Sequence, residues 1–524
     1  MGRDKNVDKN TKKISGFGEM ARDICLAGLS GLLGVLSFPP FDTGILGWFC
    51  LVPLFFAVRS CGAKKAFWYS YLSGLIFFGG VLSWLVNVTV PGTVILVLVL
   101  AVFYGIFGVI TSYVFKYSMN IMVLPFAWVV IEYIRANIFT GFPWAILGYS
   151  QYKNINLIQI ADITGAFGIS FVVTSFNAAF FGLFRYPAKR ISYLMLSLFL
   201  ILASSSYGIY RLQNVKVWGS PEISVVQGNI PQQAKWDPAF SEAILKDYTG
   251  LTKKAAAGFP DLIVWPETAY PYLFEEEDNP APEIGSLAAE CGVPILTGLV
   301  SGQKGFFYNS AVLFGPGGRI AGKYDKTHLV PFGEYIPFSK HLDFLRGYID
   351  KDIGSFGAGK KYKLFPIESA RSSKQPDGSV TRITSFYKFG VLICFEDVFP
   401  YIARQFVHEG ANFLVNITND AWFGETAAAK QHMQASVFRA AENKVPVVRA
   451  ANTGISCFID AYGRVISGVS EGGRETFVRG YAADKVDVIR SRTYYTMYGD
   501  NFVYFCGFML FVILMYENFL SKKE

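Results

Sequence analysis

The feature that most constrains the fold of this chain is the uneven distribution of its apolar residues. Residues 23–210 and 499–520 are strongly apolar, whereas 212–498 have the composition of an ordinary globular domain. Over all 524 residues, 52% are hydrophobic and the mean hydropathy is +0.32. Soluble domains rarely reach such values. The sequence therefore predicts a multi-span helical membrane bundle combined with one large domain outside the bilayer.

The apolar regions divide into candidate membrane spans. A helix crossing a hydrocarbon core of about 30 Å needs about 20 apolar residues, and two of the candidates, 45–58 and 121–134, are shorter. We expect these two to be tilted, broken or partly re-entrant, so the count is seven or eight. No small-residue cleavage site follows the first segment, which therefore reads as a retained helix and not a signal peptide. The candidates are 24–40, 45–58, 67–88, 93–115, 121–134, 164–184, 191–210 and 499–520.

The distribution of Lys and Arg predicts the orientation of these spans, because cytoplasmic connections of membrane proteins are enriched in both. The connections near Asp42 and at 87–91 carry neither residue. With both termini in the cytoplasm, residues 212–498 lie on the outer, periplasmic face of the inner membrane. Topology thus explains the net charge of +8, and no nucleic acid partner is expected. The basic segments are the N-terminus 1–22, the connections 59–65, 116 and 185–190, and the tail 521–524.

The region 212–498 alternates short β-rich runs with helical stretches, which predicts an α/β domain with layered sheets. Turn-forming residues predict hairpins at 315–319 and 460–464. The polar stretch 338–378 fits neither pattern, and its length suggests a lid or an arm. Strands are expected at 223–227, 261–265, 294–299, 309–314, 389–394, 412–417, 445–450 and 456–460, and helices at 239–257, 281–291, 399–410 and 426–443.

The most reactive-looking residue of this domain is Cys394, which ends the apolar run Val391–Ile393 and precedes Glu396 and Asp397. A thiol at the end of a central strand is well placed for nucleophilic attack, although a lone cysteine there is more often buried packing. Because a free thiol has a pKa of about 8.5, it also needs a base. The seven cysteines and four histidines show no metal-ligand spacing or disulfide framework. No metal and no cofactor are expected.

Two other segments carry groups that would complete such a site. In Val264-Trp-Pro-Glu267, a carboxylate follows an apolar strand and is able to accept the thiol proton, or simply to cap the next helix. In the segment that begins at Lys323, Lys326 is able to stabilise an oxyanion and lower the pKa of a thiol, or simply to lie exposed on a hairpin. Each segment alone is a weak signal.

The order of the three segments is specific: Trp-Pro-Glu, then Tyr-x-Lys-x-His-Leu-Val-Pro-Phe-Gly-Glu, then Ile-Cys-Phe-Glu. This set resembles the nitrilase, or carbon–nitrogen hydrolase, superfamily. The resemblance implies an α-β-β-α sandwich with a catalytic triad of Glu267, Lys326 and Cys394. In that superfamily the glutamate is the general base, the lysine stabilises the tetrahedral intermediate and the cysteine carries the acyl group.

The whole chain further resembles the apolipoprotein N-acyltransferase family, on its span arrangement and on three motifs: Val226–Gln232, Lys235-Trp236-Asp237 and Asn416–Gly424. The resemblance implies transfer of a fatty acyl chain from a membrane phospholipid, through a thioester, to diacylglyceryl-modified apolipoproteins. It also implies supporting acids at Glu334 and Glu396 and an active-site aromatic at Trp236. Many relatives carry tyrosine where this chain has Phe395, which leaves the backbone N–H as the group able to serve the oxyanion.

Two other functions remain open at this stage. A tethered amidase acting on a small amide would use the same triad, but one span would suffice to anchor it. A scaffold or transporter would not need the triad, and a transport path would usually carry more intramembrane charge than Glu132.

Because a thioester must be protected from water, we expect shielding by 338–378 and by the aromatic connection 135–163, which otherwise reads as an interfacial loop. We expect a monomer.

Overall fold

The computed structural model of the protein describes residues 5–117, 119–235, 237–275, 281–303, 306–335, 356–374 and 380–520. It divides into two compact units. A helical unit comprises Met1–Ile209 and Asp500–Glu524, and an α/β unit comprises Tyr210–Gly499. Trp236, residues 338–355 and 375–378 of the expected lid, and the tail 521–524 lie outside the described residues.

The helical unit contains α-helices connected by short 3-10 turns. The turns are Gly44–Trp48, Ser83–Asn87, Ile121–Val123 and Leu147–Gln151. The helices are α1 (Lys5–Leu36), α2 (Val52–Val58), α3 (Ala63–Val81), α4 (Val90–Lys116), α5 (Leu124–Asn137), α6 (Ile155–Ile158), α7 (Ala161–Thr164), α8 (Ala166–Arg185), α9 (Arg190–Gln213) and a C-terminal helix, Asn501–Leu520.

Within the described residues, three helices are long and apolar enough to cross a membrane: α4, α8 and α9. The predicted span 45–58 is broken into a 3-10 turn and α2, which confirms the expectation of an interrupted segment. Helix α1 begins at Lys5, inside the stretch 1–22 that the sequence assigns to a polar terminus. In α3, two lysines, two tyrosines and two serines dilute the apolar residues. The structure thus supports a helical membrane unit, and length and composition do not establish eight spans.

Close helix packing in this unit depends on small residues, as is usual in membranes. A Cβ added to Gly74 of α3 would lie 2.8 Å from the Cβ of Tyr104 in α4. A Cβ on Gly108 of α4 would lie 2.5 Å from the carbonyl oxygen of Ala66 in α3. The two helices therefore approach so closely that glycine is required at both positions.

The connection after α5 is held by two buried charged residues of that helix. Arg135 donates to the carbonyl oxygens of Phe142 and Trp144 at 2.9 and 2.7 Å. Glu132 accepts from the N–H of Leu147 at 2.6 Å. These bonds fix the start of the 135–163 connection, so its aromatic residues have defined positions within the helical unit.

The α/β unit contains two large sheets and a two-stranded ribbon of β1 and β15. The seven-stranded sheet has the order β14-β2-β3-β5-β6-β7, with β4 paired to β5, and the six-stranded sheet has the order β13-β12-β11-β10-β9-β8. The strands are β1 (Val217–Gly219), β2 (Glu222–Gln227), β3 (Leu262–Val264), β4 (Leu273–Phe274), β5 (Ile295–Gln303), β6 (Phe306–Phe314), β7 (Ile320–Asp325), β8 (Leu364–Lys374), β9 (Val380–Ile393), β10 (Phe413–Thr418), β11 (Val447–Ala451), β12 (Cys457–Ile459), β13 (Val465–Gly468), β14 (Gly480–Lys485) and β15 (Val488–Ile489).

The two large sheets contact each other through β2 and β11 and through β6 and β9. Two helices cover the seven-stranded sheet, with Tyr248 stacked on Trp265 in the core beneath them. Two others cover the six-stranded sheet, so the unit is the expected α-β-β-α sandwich. The helices are α10 (Gln232–Lys235), α11 (Ser241–Ala256), α12 (Pro282–Cys291), α13 (Pro400–His408), α14 (Ala428–Asn443) and α15 (Tyr494–Tyr498), and the 3-10 turns are Pro238–Phe240, Cys394–Val398 and Asp420–Phe423.

The predicted helices of this unit are confirmed at α11, α12, α13 and α14, and both predicted hairpin turns are confirmed. The main difference is the long antiparallel hairpin of β8 and β9, paired from Leu364 with Gly390 to Lys374 with Val380. The part of 338–378 described from 364 onward is thus a strand and not a loop. Because β9 continues straight into Cys394, this hairpin leads directly to the candidate nucleophile.

Candidate active site

The three predicted triad residues all follow strand ends. Glu267 comes after β3 and Lys326 after β7, both in the seven-stranded sheet, whereas Cys394 directly follows β9 of the six-stranded sheet. Lys326 Nζ lies 3.7 Å from Glu267 Oε1. Both side chains interact electrostatically with the Cys394 thiol. The structure therefore brings together three residues that are far apart in the sequence.

Lys326 belongs to a buried group that we call the thiol-side cluster: Glu267, Asn309, Lys326 and Glu334. Lys326 donates to Glu334 Oε1 at 2.9 Å, and Asn309 Nδ2 donates to both Glu267 at 2.7 Å and Glu334 at 2.9 Å. The second oxygen of Glu334 accepts from the N–H of Val330 at 2.8 Å. Glu334 thus anchors Lys326, and its role as a supporting acid stays a prediction.

Electrostatics keep Lys326 charged. Burial lowers the pKa of its ammonium group, but the carboxylates of Glu334 and Glu267 outweigh this effect and raise the pKa above its ordinary value. A permanently protonated lysine cannot serve as a base near neutral pH. It is instead a fixed cation and hydrogen-bond donor, as stabilising an oxyanion requires.

The Cys394 thiol is strongly biased toward its protonated form. Burial raises the pKa of this thiol, Glu267 and Asp420 raise it further, and Lys326 and Thr418 oppose the shift only in part. The sequence expects a lysine beside the thiol to lower its pKa, and that effect is present but outweighed. A nucleophilic role for this sulfur therefore requires a base, and Glu267 is the carboxylate with the larger effect on the pKa of the thiol.

The backbone at Cys394 is strained. Its φ is +52°, in the left-handed region, which costs a non-glycine residue on the order of 1–2 kcal/mol. Its carbonyl oxygen accepts from Asn416 Nδ2 at 3.2 Å and lies 3.3 Å from His432 Nε2. Such strain persists only where surrounding contacts determine it, and it is common at active sites.

Glu396 links the nucleophile turn to the segment that carries Lys326. Its carboxylate is fully buried and accepts from the N–H groups of Ile393, Thr327 and His328 at 2.8, 2.7 and 3.1 Å. The Tyr324 hydroxyl donates to it at 2.8 Å. Burial raises the pKa of Glu396, although these donors and the Lys326 charge oppose the shift. Glu396 therefore holds the turn at Cys394 and the segment after Lys326 in register.

Phe395 is partly exposed, and its ring packs edge-to-face on Phe399 with centroids 5.1 Å apart. The Phe395 N–H belongs to the peptide group whose carbonyl Asn416 and His432 contact. Its ring thus has a packing role, which is consistent with a backbone rather than a side-chain contribution at this position.

Comparison with known proteins decides the family. Residues 30–179 match the apolipoprotein N-acyltransferase N-terminal domain, and 222–490 match the carbon-nitrogen hydrolase family. The chain is 38% identical to the apolipoprotein N-acyltransferase of Geobacter metallireducens, covering 93% of each chain. It is 32% identical to that of Brucella melitensis, covering 83% of this chain and 85% of that one.

The chain belongs to the apolipoprotein N-acyltransferase family. It is also similar to the solved carbon-nitrogen hydrolase from Helicobacter pylori, with 18% identity and a TM-score of 0.36 over 51% of this chain and 89% of that chain. The two family matches fall on the two units of the structure: the N-terminal domain on the helical unit and the hydrolase domain on the α/β unit.

Sequence reasoning missed two buried polar residues of this family member. Asn309 interrupts the apolar strand β6 and joins two carboxylates, and a polar residue inside an apolar run was the available signal. Lys235 donates to the carbonyl oxygen of Glu267 at 2.8 Å. Burial lowers the pKa of Lys235 to about 8, although Glu267 and Cys394 oppose the shift. Trp236, its neighbour, lies outside the described residues and stays a prediction.

In the described part of the chain, no group of three or more His, Cys, Asp or Glu side chains is arranged to hold a metal ion. The groups that meet at Cys394 are a carboxylate, an ammonium and a thiol. These are sufficient for acyl transfer through a covalent intermediate.

Proposed function

We propose that this protein moves a fatty acyl chain from a membrane phospholipid to the α-amine of the N-terminal diacylglyceryl-cysteine of apolipoproteins. The acyl chain passes through a thioester on Cys394, so the reaction is ping-pong. The observation that carries the proposal is the convergence of Glu267, Lys326 and Cys394 in a chain whose relatives are named apolipoprotein N-acyltransferase. All three groups come from one chain, so a monomer is sufficient.

In the first half-reaction, the Cys394 sulfur bonds to the ester carbonyl carbon of the phospholipid while Glu267 accepts the thiol proton. The carbonyl oxygen becomes an oxyanion next to Lys326 and the Phe395 N–H. The carbon–oxygen ester bond then breaks, and the leaving oxygen takes the proton from Glu267. The products are a thioester on Cys394 and a lysophospholipid.

In the second half-reaction, the α-amine of the lipid-modified cysteine attacks the thioester carbonyl carbon, and Glu267 accepts a proton from that nitrogen. The carbon–sulfur bond breaks as the amide forms, and Cys394 recovers its proton from Glu267. Water competes with the amine for the thioester. The segment 338–378 remains our candidate for excluding it.

The membrane arrangement supports this chemistry, because donor and acceptor are both held in a bilayer. We propose a cytoplasmic N-terminus at 1–22, seven spans within 23–211, a periplasmic catalytic domain at 212–498, an eighth span at 499–520 and a cytoplasmic tail at 521–524. The basic connections and the three long apolar helices support this topology in the inner membrane.

The test is to incubate the purified protein with phospholipid alone and to measure the mass of the Cys394 peptide. We expect the mass to increase by one acyl group, and the adduct to disappear when a diacylglyceryl-cysteine peptide is added. The Cys394→Ala variant should form no adduct, and Cys457→Ala is the matched control. Turnover of a small soluble amide without any lipid adduct would instead favour the tethered amidase.

The topology is tested separately, with a membrane-impermeant label on spheroplasts. A cysteine introduced at the exposed position 425, as Glu425→Cys, should react from the periplasmic side. Labelling of that position only after the cells are opened would overturn the proposed orientation.

A further inference from the structure

A second buried ionic group lies on the carbonyl side of Cys394 and has no role in the mechanism above. This carbonyl-side cluster consists of Asp397, Asp420, His432 and Arg449, and all four side chains are almost completely buried. His432 Nε2 lies 2.8 Å from Asp397 Oδ1, and Nδ1 lies 2.9 Å from Asp420 Oδ1. Arg449 pairs with Asp397 at 2.7 Å and lies 3.9 Å from Asp420.

This geometry requires His432 to carry a proton on both ring nitrogens. A neutral imidazole has one donor and one acceptor, and an acceptor nitrogen facing a carboxylate oxygen would be repelled. With His432 as an imidazolium, two cations balance two carboxylates. The same conclusion follows from electrostatics: burial lowers the pKa of His432, but Asp397 and Asp420 outweigh it and raise the pKa to about 9.

The cluster reaches the nucleophile through the peptide group after Cys394. His432 Nε2 lies 3.3 Å from the Cys394 carbonyl oxygen, and Asn416 donates to that oxygen at 3.2 Å. A peptide group is planar and trans, so fixing the direction of the Cys394 carbonyl also fixes the Phe395 N–H on the opposite side. Donation to the carbonyl polarises the group and makes that N–H a stronger donor.

We propose that His432, bridged as an imidazolium between Asp397 and Asp420, positions the Cys394–Phe395 peptide group so that the Phe395 N–H meets the oxyanion. His432 is a positioning residue, because it acts through the backbone and does not contact the reacting atoms. The inference rests on the proposed function, in which that N–H stabilises the tetrahedral intermediate. It also gives a role to Asn416 and Asp420 of the Asn416–Gly424 motif.

The test separates oxyanion formation from thiol reactivity. The acyl donor is p-nitrophenyl octanoate, whose nitrophenolate burst reports acylation of Cys394 without a phospholipid. The comparison reagent is iodoacetamide, which alkylates the thiol by displacement and forms no oxyanion. The variant is His432→Gln, with the exposed His408→Gln as matched control.

We expect His432→Gln to lower the burst rate constant by about 10²-fold at saturating ester, as loss of an oxyanion donor does, with alkylation changed by less than about threefold. His408→Gln should match the wild type in both reactions. An unchanged burst, or equal losses in burst and alkylation, would overturn the proposal. If the ester gives a burst but phospholipid forms no adduct, phospholipid is ruled out as the acyl donor, and the role of His432 is unaffected.

A pH series gives a second readout that a purely structural role would not change. The ratio of wild-type to His432→Gln burst rates should fall as pH rises through about 9, because the thiol ionisation common to both proteins cancels in the ratio. The charged or titratable groups facing His432 are Asp397 and Asp420 from two 3-10 turns, Arg449 from β11, and Cys394. Asp420→Asn removes one carboxylate beside His432. The loss of burst rate that the wild type shows as His432 loses its proton should therefore occur at lower pH in this variant.

The Asp420→Asn variant also decides the question if His432→Gln fails to fold. Thermal unfolding and iodoacetamide reactivity verify the fold of each variant. Because Asp420 also raises the pKa of the Cys394 thiol, the burst rate is divided by the iodoacetamide rate at each pH. A folded Asp420→Asn protein whose corrected profile is not displaced along the pH axis contradicts the proposal.

Discussion

The thiol-side and carbonyl-side clusters use similar residues for different purposes. Each contains two carboxylates, of which Glu267, Asp397 and Asp420 are buried and Glu334 is largely buried. The thiol-side cluster opposes Glu267 and Glu334 with one cation, Lys326. The carbonyl-side cluster opposes Asp397 and Asp420 with two, His432 and Arg449.

How firmly each carboxylate is paired with a cation decides what it is able to do. Charge balance holds the pKa of Asp397 and of Asp420 below their ordinary values, because His432 and Arg449 outweigh the effect of burial. Neither aspartate is therefore available to accept a proton. On the thiol side, Glu267 lies farther from Lys326 than Glu334 does, and burial lowers the pKa of its other cationic neighbour, Lys235, to about 8. Glu267 is therefore the less firmly paired carboxylate, as the proposed base should be.

The sharpest test of this difference removes the base. Glu267→Gln keeps the shape of the side chain and its bond to Asn309 through the amide oxygen, but it cannot accept a proton. We expect the acylation rate to fall by about 10³-fold, within the range known for general bases. Mass spectrometry of the Cys394 thioester measures the rate. The control is Glu283→Gln, because the Glu283 carboxylate accepts a hydrogen bond from the Tyr270 hydroxyl and is not part of the cluster. This variant should acylate normally.

The next test removes the cation that lies closest to both glutamates of the thiol-side cluster. Lys326→Met keeps the length of the chain and should lower the acylation rate by about 10²-fold through loss of oxyanion stabilisation. Lys323→Met, three residues earlier on β7, removes a surface pair with Asp325 and serves as the control. Equal activity of both variants would show that the oxyanion forms elsewhere.

On the carbonyl side, the corresponding change affects stability. Arg449→Met leaves Asp397 and Asp420 with one cation, and breaking a buried ion pair in this way costs about 3–5 kcal/mol in the free energy of unfolding. Chemical denaturation in detergent measures it. The control is Arg464→Met, whose exposed pair with Asp460 should contribute at most about 1 kcal/mol. Similar losses in both variants would contradict the distinction.

The charge of His432 should make stability depend on pH. Its pKa is about 9 in the folded protein, above the ordinary value of about 6.5. Its stabilising effect is therefore complete below about pH 6.5 and is lost as pH rises through about 9. Between pH 7 and 10, the thermal midpoint of the wild type should fall more than that of His432→Gln. Parallel curves would show that His432 is neutral.

The smallest effect is expected at Phe395. If the backbone N–H serves the oxyanion, Phe395→Tyr should change the acylation rate by less than about threefold, because the peptide group is unaltered. Steady-state transfer from phospholipid to a diacylglyceryl-cysteine peptide measures this. A large gain in rate would assign a role to the hydroxyl group at this position.

Hydrophobic patterning predicted most of the α/β unit, because buried strands and amphipathic helices leave a period in the sequence. Helices α11 to α14 lie where the sequence places them. The β8–β9 hairpin did not follow from the sequence. Strand β8 contains polar residues such as Glu368 and Ser369 after its short apolar start, and eleven of its positions pair with β9.

The three triad candidates followed from motif order, and Glu334 and Glu396 followed from the resemblance, whereas three other buried polar residues did not. Asn309, Lys235 and His432 contact residues that are far away in sequence, and no local signal records such contacts. The ionisation of Cys394 also escaped prediction. Its sign depends on whether burial or Lys326 dominates, which only the folded structure decides.

The left-handed backbone at Cys394 has a consequence for the evolution and engineering of this family member. At a φ of +52°, glycine is favoured over any other residue by about 1 kcal/mol or more. The residue that gives the most stable backbone at position 394 therefore differs from the cysteine that the proposed mechanism needs. Selection for thermal stability alone would favour loss of this cysteine, so libraries screened for stability need a parallel screen for acylation.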